Sequence, residues 1–440
     1  MIRTPKTWLA GLSLAIVTAA PLQAADLMEV YRTALEQDPE LRRAEAEYRA
    51  ALEQRPQARS ALLPQIRGGA GYAHTESEPD EGREYDYQSR TFDLSLEQSL
   101  YDHANYVALR QADLGIARAT ATRDAARQAL LLRVAEAYFG VLSAREDLDF
   151  AKAEKEAIER QLEQMQRRFD VGLIAITDVK EARAQYDLAV AEEIAAQNRL
   201  DQAEEDLSVI TGRFYEELAA LSDRLTLTPP DPANRDRWVE TALEQNLSLA
   251  ATRLATETAA EEIKRQRAGH YPTLGLSASY TDQDFKDAPA AMAGQLRDGA
   301  DTQIGVQLNL PLYTGGRTSS LTREARENFD AAREQQEQVR RDTIRQARGA
   351  FLSVNSDISR VRALEQALES TRASYEAAQA GFEVGTRTAV DVLLELRRVF
   401  GAERDLADAR YAYLLDTLRL KQAAGTLSEQ DLAAINAWLD

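Results

Sequence analysis

Residues 167–189 read RRFDVGLIAITDVKEARAQYDLA, and residues 380–400 read AGFEVGTRTAVDVLLELRRVF. Both segments contain the phrase F-x-V-G-x-x-x-x-x-D-V, in which the glycines are Gly172 and Gly385. Each phrase interrupts a long stretch rich in Ala, Glu, Arg and Leu, which are strong helix formers. A glycine between two helical stretches allows the left-handed backbone that ends a helix. The repeated phrase therefore predicts two helical hairpins, each reversed at its glycine.

Long helices are expected on both sides of the two tip turns. Proline is absent between residues 104 and 168 and between residues 319 and 379. A helix of roughly 65 residues would extend about 98 Å, far beyond the usual length in a globular domain. After each phrase the apolar residues step by three and four, which is the spacing of a coiled coil. We expect each returning helix to pack along the outgoing one, with tip turns at residues 169–177 and 382–390.

The two hairpins belong to a longer internal match. The octapeptide ALEQDPEL at residues 34–41 returns as ALEQNLSL at residues 242–249, and Gly212 corresponds to Gly425 in the same way. Self-similarity over this length predicts a tandem duplication in which loop residues were inserted. We expect two repeats of one topology, which are residues 25–234 and 235–440.

The first part of each repeat is predicted as one helix followed by an extended segment. The helices are expected from Leu27 to about Arg59 and from Arg237 to about Arg267. Pro64 and Pro272 follow them. Because proline disfavours helical backbone in the residue before it, each proline indicates the start of a different element.

Alternating apolar and polar residues predict a β-hairpin after each of these prolines, over residues 64–101 and 272–313. By alternation alone, a soluble subdomain with one buried face is an open alternative. Three features favour membrane strands: lengths near the ten residues of a tilted span, tyrosines near strand ends, and acidic hairpin loops such as HTESEPDEGREYDY. The predicted joints between strands and helices are at Pro64, Pro272, Tyr101 and Tyr313.

The number of predicted strands has a consequence for assembly. Four strands cannot close a membrane barrel, because the smallest such barrels have about eight. An open sheet edge in lipid leaves backbone groups unpaired, at several kcal/mol each. If these strands cross a membrane, several copies of the chain must build one barrel together.

Composition and the N-terminal segment place the chain outside the cytoplasm. Residues 1–24 combine a basic start, an apolar run and a small-residue cleavage site, which is typical of a secretory signal peptide. The formal net charge is −19, and loss of the two basic residues of the signal gives −19 − 2 = −21. Such a surface repels nucleic acid. The chain has no cysteine, so disulfides and thiolate metal sites are excluded.

These residues resemble the family of TolC and the outer-membrane factors of multidrug efflux and type I secretion. The resemblance is densest in FDVGLIAITDVKEARAQYD, GFEVGTRTAVDVL and the joint LYTGGR. It implies a mainly α homotrimer in the outer membrane, with a 12-stranded β-barrel and a periplasmic α-barrel tunnel of helical hairpins. It also implies a passive duct in outer-membrane lipid, opened at its tip by an inner-membrane transporter and a periplasmic adaptor protein.

The resemblance assigns roles to residues at the tip. In the family, the positions of Thr177 and Asp178 form polar links to those of Arg387 and Phe382, which hold the tip shut. Phe382 departs from the family pattern, which has a tyrosine there. A simpler hypothesis is helix capping, because Thr388 and Asp391 have the spacing of a capping box. We expect Arg387 to carry more of the closure.

An acidic ring is the second feature that the resemblance places at the tip. Asp391 matches the first ring of carboxylates at the family's constriction. Three copies around a narrow axis would raise the local pKa and favour cations. The second ring falls at Leu394, which is apolar, so one acidic ring is expected.

No pattern in the sequence indicates an enzyme, a metal centre or a cofactor. The three histidines lack metal-ligand spacing. A loose calcium site at Asp282, Asp284 and Asp287 is less favoured than a solvated acidic loop. The main alternative function is that of a soluble periplasmic coiled-coil scaffold or adaptor. Within the family, drug efflux and protein secretion are both open.

Overall fold

The computed structural model describes residues 24–77, 85–222, 224–288 and 296–439. The predicted signal segment lies outside these ranges except for Ala24. The first half contains helices and strands in this order: α1 (Leu27–Gln37), α2 (Pro39–Leu52), α3 (Gln54–Ser60), β1 (Gln65–Ser77), β2 (Tyr85–Tyr101), α4 (His103–Asp170) and α5 (Ile176–Thr211). The second half continues with α6 (Arg235–Gln245), α7 (Leu247–Arg267), β3 (Thr273–Lys286), β4 (Gly299–Asn309), α8 (Arg317–Glu383), α9 (Ala389–Ala424) and α10 (Glu429–Asn436).

The segment that opens each half is divided, where the sequence predicted one continuous helix. Asp38 separates α1 from α2, and its carboxylate accepts a 2.7 Å hydrogen bond from the Leu41 N–H. Asn246 separates α6 from α7 in the corresponding place, and its side chain accepts from the Leu249 N–H at 3.0 Å. Both side chains satisfy N–H groups that a helix start leaves unpaired, which stabilises the break. A further break at Glu53 begins α3.

Two long hairpins make up most of the molecule. The outgoing helix α4 has 68 residues and therefore extends roughly 100 Å. It packs along α5, and α8 packs along α9 in the same manner. Buried residues on α5 follow the predicted coiled-coil positions, among them Val179, Ala182 and Ala189. On α9 the buried face is wider, because α9 also packs against α4.

The four strands form one antiparallel sheet in the order β1-β2-β3-β4. Ile66 lies opposite Leu96, which lies opposite Ala278, which lies opposite Ile304. Paired residues share a face of a sheet, so this row confirms the predicted alternation of apolar and polar faces. The apolar face is uncovered at the outer strands, with Ile66 67% exposed and Ile304 74% exposed.

Within the described ranges, no helix is both long enough and apolar enough to span a bilayer.

The main hydrophobic core lies where the short helices pack around the middle of the long ones. Tyr138 on α4 is fully buried, and its hydroxyl donates to the Ala25 and Ala219 carbonyls at 3.2 and 2.8 Å. Its neighbour Phe139 lies against Tyr411 of α9, with 5.6 Å between ring centroids. The Tyr138 contacts therefore tie the first hairpin to the surrounding chain, and the Phe139 contact joins the two hairpins.

Each returning helix ends at a glycine in the left-handed conformation. Gly212 after α5 has φ 74°, and Gly425 after α9 has φ 78°. A Cβ atom at Gly212 would lie 3.8 Å from the Gln37 Cβ, which is an ordinary contact. A Cβ atom at Gly425 would overlap the backbone of Gln245. Position 425 therefore needs glycine both for its left-handed backbone and for its close contact with Gln245. Position 212 needs glycine only for its left-handed backbone.

The glycine pair gives a matched test of this close packing. Gly212→Ala should lower the free energy of unfolding by about 1–2 kcal/mol, the cost of a left-handed residue with a Cβ atom. Gly425→Ala should cost clearly more, because the backbone of Gln245 would also have to move. Thermal unfolding followed by circular dichroism in detergent would measure both variants. Equal melting temperatures would contradict the steric part of the argument.

Candidate functional site

The tips of the two hairpins pack on a shared apolar cluster. It draws residues from α4, α5, α8 and α9, so it joins one hairpin to the other. We call it the tip cluster, and its buried members are Ile158, Met165, Val179, Ala182, Ala189, Ala378, Phe382, Ala389, Val392, Leu393 and Leu396. Burial of these side chains favours the conformation in which the hairpins lie together, since each large apolar side chain contributes roughly 1.5–3 kcal/mol.

The two tip turns have related backbone geometry. Gly172 has φ 76° and Gly385 has φ 79°. The Gly172 N–H donates to the Phe169 carbonyl at 2.8 Å, and the Gly385 N–H donates to the Phe382 carbonyl at 3.2 Å. The glycines thus end α4 and α8 in the left-handed conformation that residues with a Cβ atom rarely adopt.

Arg387 lies across the second turn. Its backbone N–H donates to the Gly381 carbonyl at 3.2 Å. A Cβ atom at position 381 would lie 2.7 Å from the Arg387 Cγ atom, so glycine there makes room for the arginine stem. The guanidinium group is exposed.

Thr177 and Asp178 lie in the first turn of α5, where the N-cap is Ala175. Neither side chain caps the helix, so the capping hypothesis does not apply to this pair. In the parts of the chain that the structure describes, neither side chain forms a hydrogen bond or ion pair with Arg387 or Phe382. Their predicted role in closing the tip stays a prediction.

Phe382 makes a different contact from the predicted polar link. The ring is 8% exposed, and the guanidinium carbon of Arg168 lies 4.4 Å from its centroid. Arg168 belongs to α4 and Phe382 to α8, so this cation–π contact joins the two hairpins at the tip. The sequence did not predict this contact, because Arg168 and Phe382 lie far apart in the chain and no local pattern relates the two positions.

Asp391 is held in a capping box at the start of α9. Its carboxylate accepts from the Thr388 N–H and from the Thr388 hydroxyl, both at 2.9 Å. These hydrogen bonds, from the backbone first, hold the pKa of Asp391 below its ordinary value. The hydrogen bonds between Thr388 and Asp391 therefore stabilise the folded protein fully above the ordinary carboxyl pKa. This stabilisation is lost as the pH falls through the lowered pKa of Asp391. Within one chain the shift is opposite to the rise expected for a ring of three.

The neighbouring position of the predicted second ring carries no charge. Leu394 is 46% exposed. Glu395, the next residue, pairs with Arg398 on the same helix at 2.6 Å.

The predicted joints lie at the sheet ends. Pro64 directly precedes β1, and Pro272 directly precedes β3. Tyr101 is the last residue of β2, and its ring lies 6.4 Å from that of Tyr106. Tyr313 lies between β4 and α8 and is 88% exposed.

Among the described residues, no group of three or more histidine or acidic side chains is arranged to hold a metal ion. Asp282 and Asp284 lie within β3, and Asp287 follows it with a left-handed backbone at φ 61°. Because successive strand residues point to opposite faces, Asp282 and Asp284 share one face of β3.

A model of the family described as outer membrane efflux protein matches residues 30–213 and 238–426. The chain belongs to the outer membrane efflux protein family. The outer membrane protein TolC of Vibrio cholerae is 42% identical over 417 residues, which cover 94% of this chain and 94% of that protein.

One further relative of this efflux family member and one solved structure are similar over nearly the whole chain. The alkaline protease secretion protein AprF of Pseudomonas aeruginosa is 31% identical over 457 residues, which cover 99% of this chain and 92% of that one. The crystal structure of the CmeC outer membrane channel of Campylobacter jejuni has the same fold, with a TM-score of 0.79 at 16% identity. It covers 100% of this chain and 98% of that chain.

Membership confirms the predicted family, the outer-membrane location and the role as an efflux or secretion duct. The predicted fold class, long helical hairpins with a small β portion, is confirmed as well. The alternative of a soluble periplasmic scaffold receives no support from any of these relatives.

The cation–π contact gives a testable prediction for this efflux family channel. Arg168→Gln should raise the resting conductance several-fold, because loss of about 0.5–1 kcal/mol between the hairpins shifts the closed–open equilibrium. The matched control is Arg167→Gln, since Arg167 is exposed and pairs only loosely with Glu163 of its own helix, at 3.9 Å. Planar-bilayer recordings would compare the two. A similar rise of conductance in both variants would show that the contact between Arg168 and Phe382 does not help to close the tip.

The capping box gives a second prediction. Asp391→Asn should lower cation selectivity and weaken block by divalent ions, because the amide is uncharged. Helix stability should change little, since the amide oxygen can still accept the Thr388 hydrogen bonds. Glu383→Gln is the control, as Glu383 is an exposed carboxylate at the end of α8. Unchanged selectivity in bilayer recordings would exclude Asp391 from the constriction.

Proposed function

We propose that this protein is the passive exit duct of a drug-efflux system, working as a homotrimer. The observation that carries the proposal is the open sheet. Four antiparallel strands end in two outer strands, β1 and β4, and leave an apolar face uncovered. Pairing of β4 with β1 of the next copy would satisfy the edge groups, and three copies would close a 12-stranded barrel.

The helices would continue this barrel into the periplasm. Each copy contributes two hairpins whose outgoing helices extend roughly 100 Å. We propose that residues 25–234 and 235–440 are structural repeats, because breaks, strands, tip turns and terminal glycines recur in the same order in both halves. Three copies would then surround one axis with six hairpins of similar shape, which closes a tunnel.

We propose that the energy for transport comes from a partner protein, as the resemblance to TolC and the outer-membrane factors implies. We propose an inner-membrane transporter as that source and a periplasmic adaptor protein as the link to the tip. Outer-membrane lipid would cover the apolar face of the strands.

Efflux is proposed over secretion as the main activity, with secretion as the second candidate. The matching family is named for efflux, which favours the first. The likeness to AprF, named for secretion of an alkaline protease, favours the second. The inner-membrane partner would decide between them, since the duct itself is passive.

The predicted polar lock at the tip is proposed to act between copies. Thr177, Asp178 and Arg387 all lie near solvent at the tip, and among the described residues neither Thr177 nor Asp178 bonds to Arg387. A guanidinium group can donate two hydrogen bonds to a carboxylate on a neighbouring copy. Three such links around the axis would hold the resting tip closed.

The test combines oligomer mass with conductance. Protein extracted in detergent should have the mass of a trimer and should form small, stable channels in planar bilayers. Arg387→Ser should raise the resting conductance at least about tenfold, as expected if a charge-assisted link of about 1.5–3 kcal/mol is lost. The control is Arg398→Lys, because Arg398 is exposed and pairs with Glu395 of the same helix. A monomer that needs no detergent would overturn the whole proposal, whereas an unchanged Arg387→Ser channel would overturn only the lock.

A further inference from the structure

A buried charge joins the two hairpins well above the tip. Glu154 of α4 has a side chain only 6% exposed, yet it is ionisable. The Arg397 Nε lies 3.3 Å from its Oε1 atom, and an Arg404 terminal nitrogen lies 3.2 Å from its Oε2 atom. Both arginines belong to α9. We call these three residues the Glu154 clasp.

The clasp is the central link of a row of ion pairs across all four helices. Next to Glu154, Lys155 joins α4 to α5 through Glu193 at 2.6 Å. Next to Arg404, Glu403 joins α9 to α8 through Arg372 at 2.6 Å. The two outer links lie within a hairpin, so only the clasp connects one hairpin to the other in this row.

The position of the clasp is defined by the helices that carry it. Glu154 precedes the end of α4 by four to five turns, roughly 24 Å. Arg397 also donates to the Gln185 side chain of α5 at 2.9 Å. Arg397 therefore contacts both helices of the first hairpin, and the second hairpin cannot swing away without breaking these contacts.

Other polar contacts between α4 and α9 lie further from the tip. Ser143 donates to Asp408 at 2.8 Å, and Arg419 pairs with Glu136 at 2.7 Å. Below the clasp, the hairpins meet through the apolar tip cluster and the Arg168–Phe382 contact. Among the described residues, the clasp is thus the ion pair between the hairpins that lies nearest to the tip.

The burial of Glu154 distinguishes its ion pairs from those on the surface. An exposed ion pair contributes little, because water solvates the separated charges almost as well. A carboxylate buried to this degree loses water when it is paired, and removing its partner leaves an uncompensated charge. Separating the hairpins would take both arginines away from Glu154, and its carboxylate would have to be hydrated again as the tip opens.

We propose that Glu154, Arg397 and Arg404 form a latch that sets the resting closure of the duct, additional to the links at the tip turns. The inference rests on the proposed function, in which the hairpins move apart to open the tip. Opening breaks the two arginine contacts of Glu154, and closing restores them. The Lys155–Glu193 and Arg372–Glu403 ion pairs each lie within one hairpin and hold its two helices together during the movement.

The test uses substitutions that keep side-chain size. Glu154→Gln removes the buried charge, and Arg404→Gln removes one partner. The matched controls are Glu156→Gln, whose carboxylate is 64% exposed and lies 3.8 Å from Arg160 of its own helix, and Arg398→Gln, which pairs within α9. Full-length protein in planar bilayers gives the resting conductance. Limited trypsin digestion, with cleavage after Arg168 and Arg387 followed by mass spectrometry, reports separation of the hairpins without requiring conduction.

Glu154→Gln and Arg404→Gln should each raise the resting open fraction about tenfold and speed tip cleavage by a similar factor. The double variant should resemble Glu154→Gln, since loss of that carboxylate already removes its contact with Arg404. The controls should behave as wild type. If Glu154→Gln fails to assemble as a trimer, Arg404→Gln carries the same test.

Two results would overturn the latch. One is wild-type conductance and wild-type cleavage in Glu154→Gln and Arg404→Gln. The other is a lower melting temperature without any change at the tip, which would give the three residues a structural role only. Failure of the proposed function is a different result: wild-type protein would then form no channels, while the trypsin measurement would still report on the contact between the hairpins.

Discussion

The structure depends on continuous burial of the apolar stripe along its long helices. A helix of 68 residues cannot lie within a globular core, so other helices must cover its apolar face along its length. The returning helices α5 and α9, with 36 residues each, cover about half of α4 and α8, and α7 packs against both long helices. Buried residues in α5 follow coiled-coil spacing from Val179 to Leu207. A turn at the tip connects the two helices of each pair, α4 with α5 and α8 with α9. A glycine ends each returning helix, and the main hydrophobic core holds both pairs near the middle of the long helices.

The tandem duplication that we propose explains why the same structural features occur twice with different details. Asp38 and Asn246 break the opening helices with the same capping geometry, yet Asp38 also pairs with Arg133 at 2.9 Å. Gly212 and Gly425 end the returning helices, but only Gly425 is pressed against neighbouring backbone. The second hairpin alone carries the capping box of Thr388. The two halves of the chain therefore have the same topology, but each half makes contacts that depend on its own neighbouring segments.

Local patterns were enough to predict the elements, and contacts between the hairpins were not. The long helices, the tip glycines and the alternating strands follow from spacing within one segment of chain. The division of the opening helix at Asp38 was missed, because helix-forming residues continue past it and the break depends on one capping side chain and Pro39. The partners of Phe382 and Glu154 lie on the other hairpin, more than 200 positions away for both. Neither periodicity nor a motif couples such distant positions.

The two kinds of contact between the hairpins suit different demands. Apolar burial in the tip cluster is non-directional and declines gradually as surfaces separate, so it favours closeness without fixing one arrangement. The contacts of Glu154 depend on direction and distance, and they are lost over a few ångströms. A duct that must rest closed and still open needs a closed state that is well defined but not deeply stabilised. A single buried carboxylate with two arginine partners meets that need, because its desolvation offsets much of its attraction while its geometry admits one alignment.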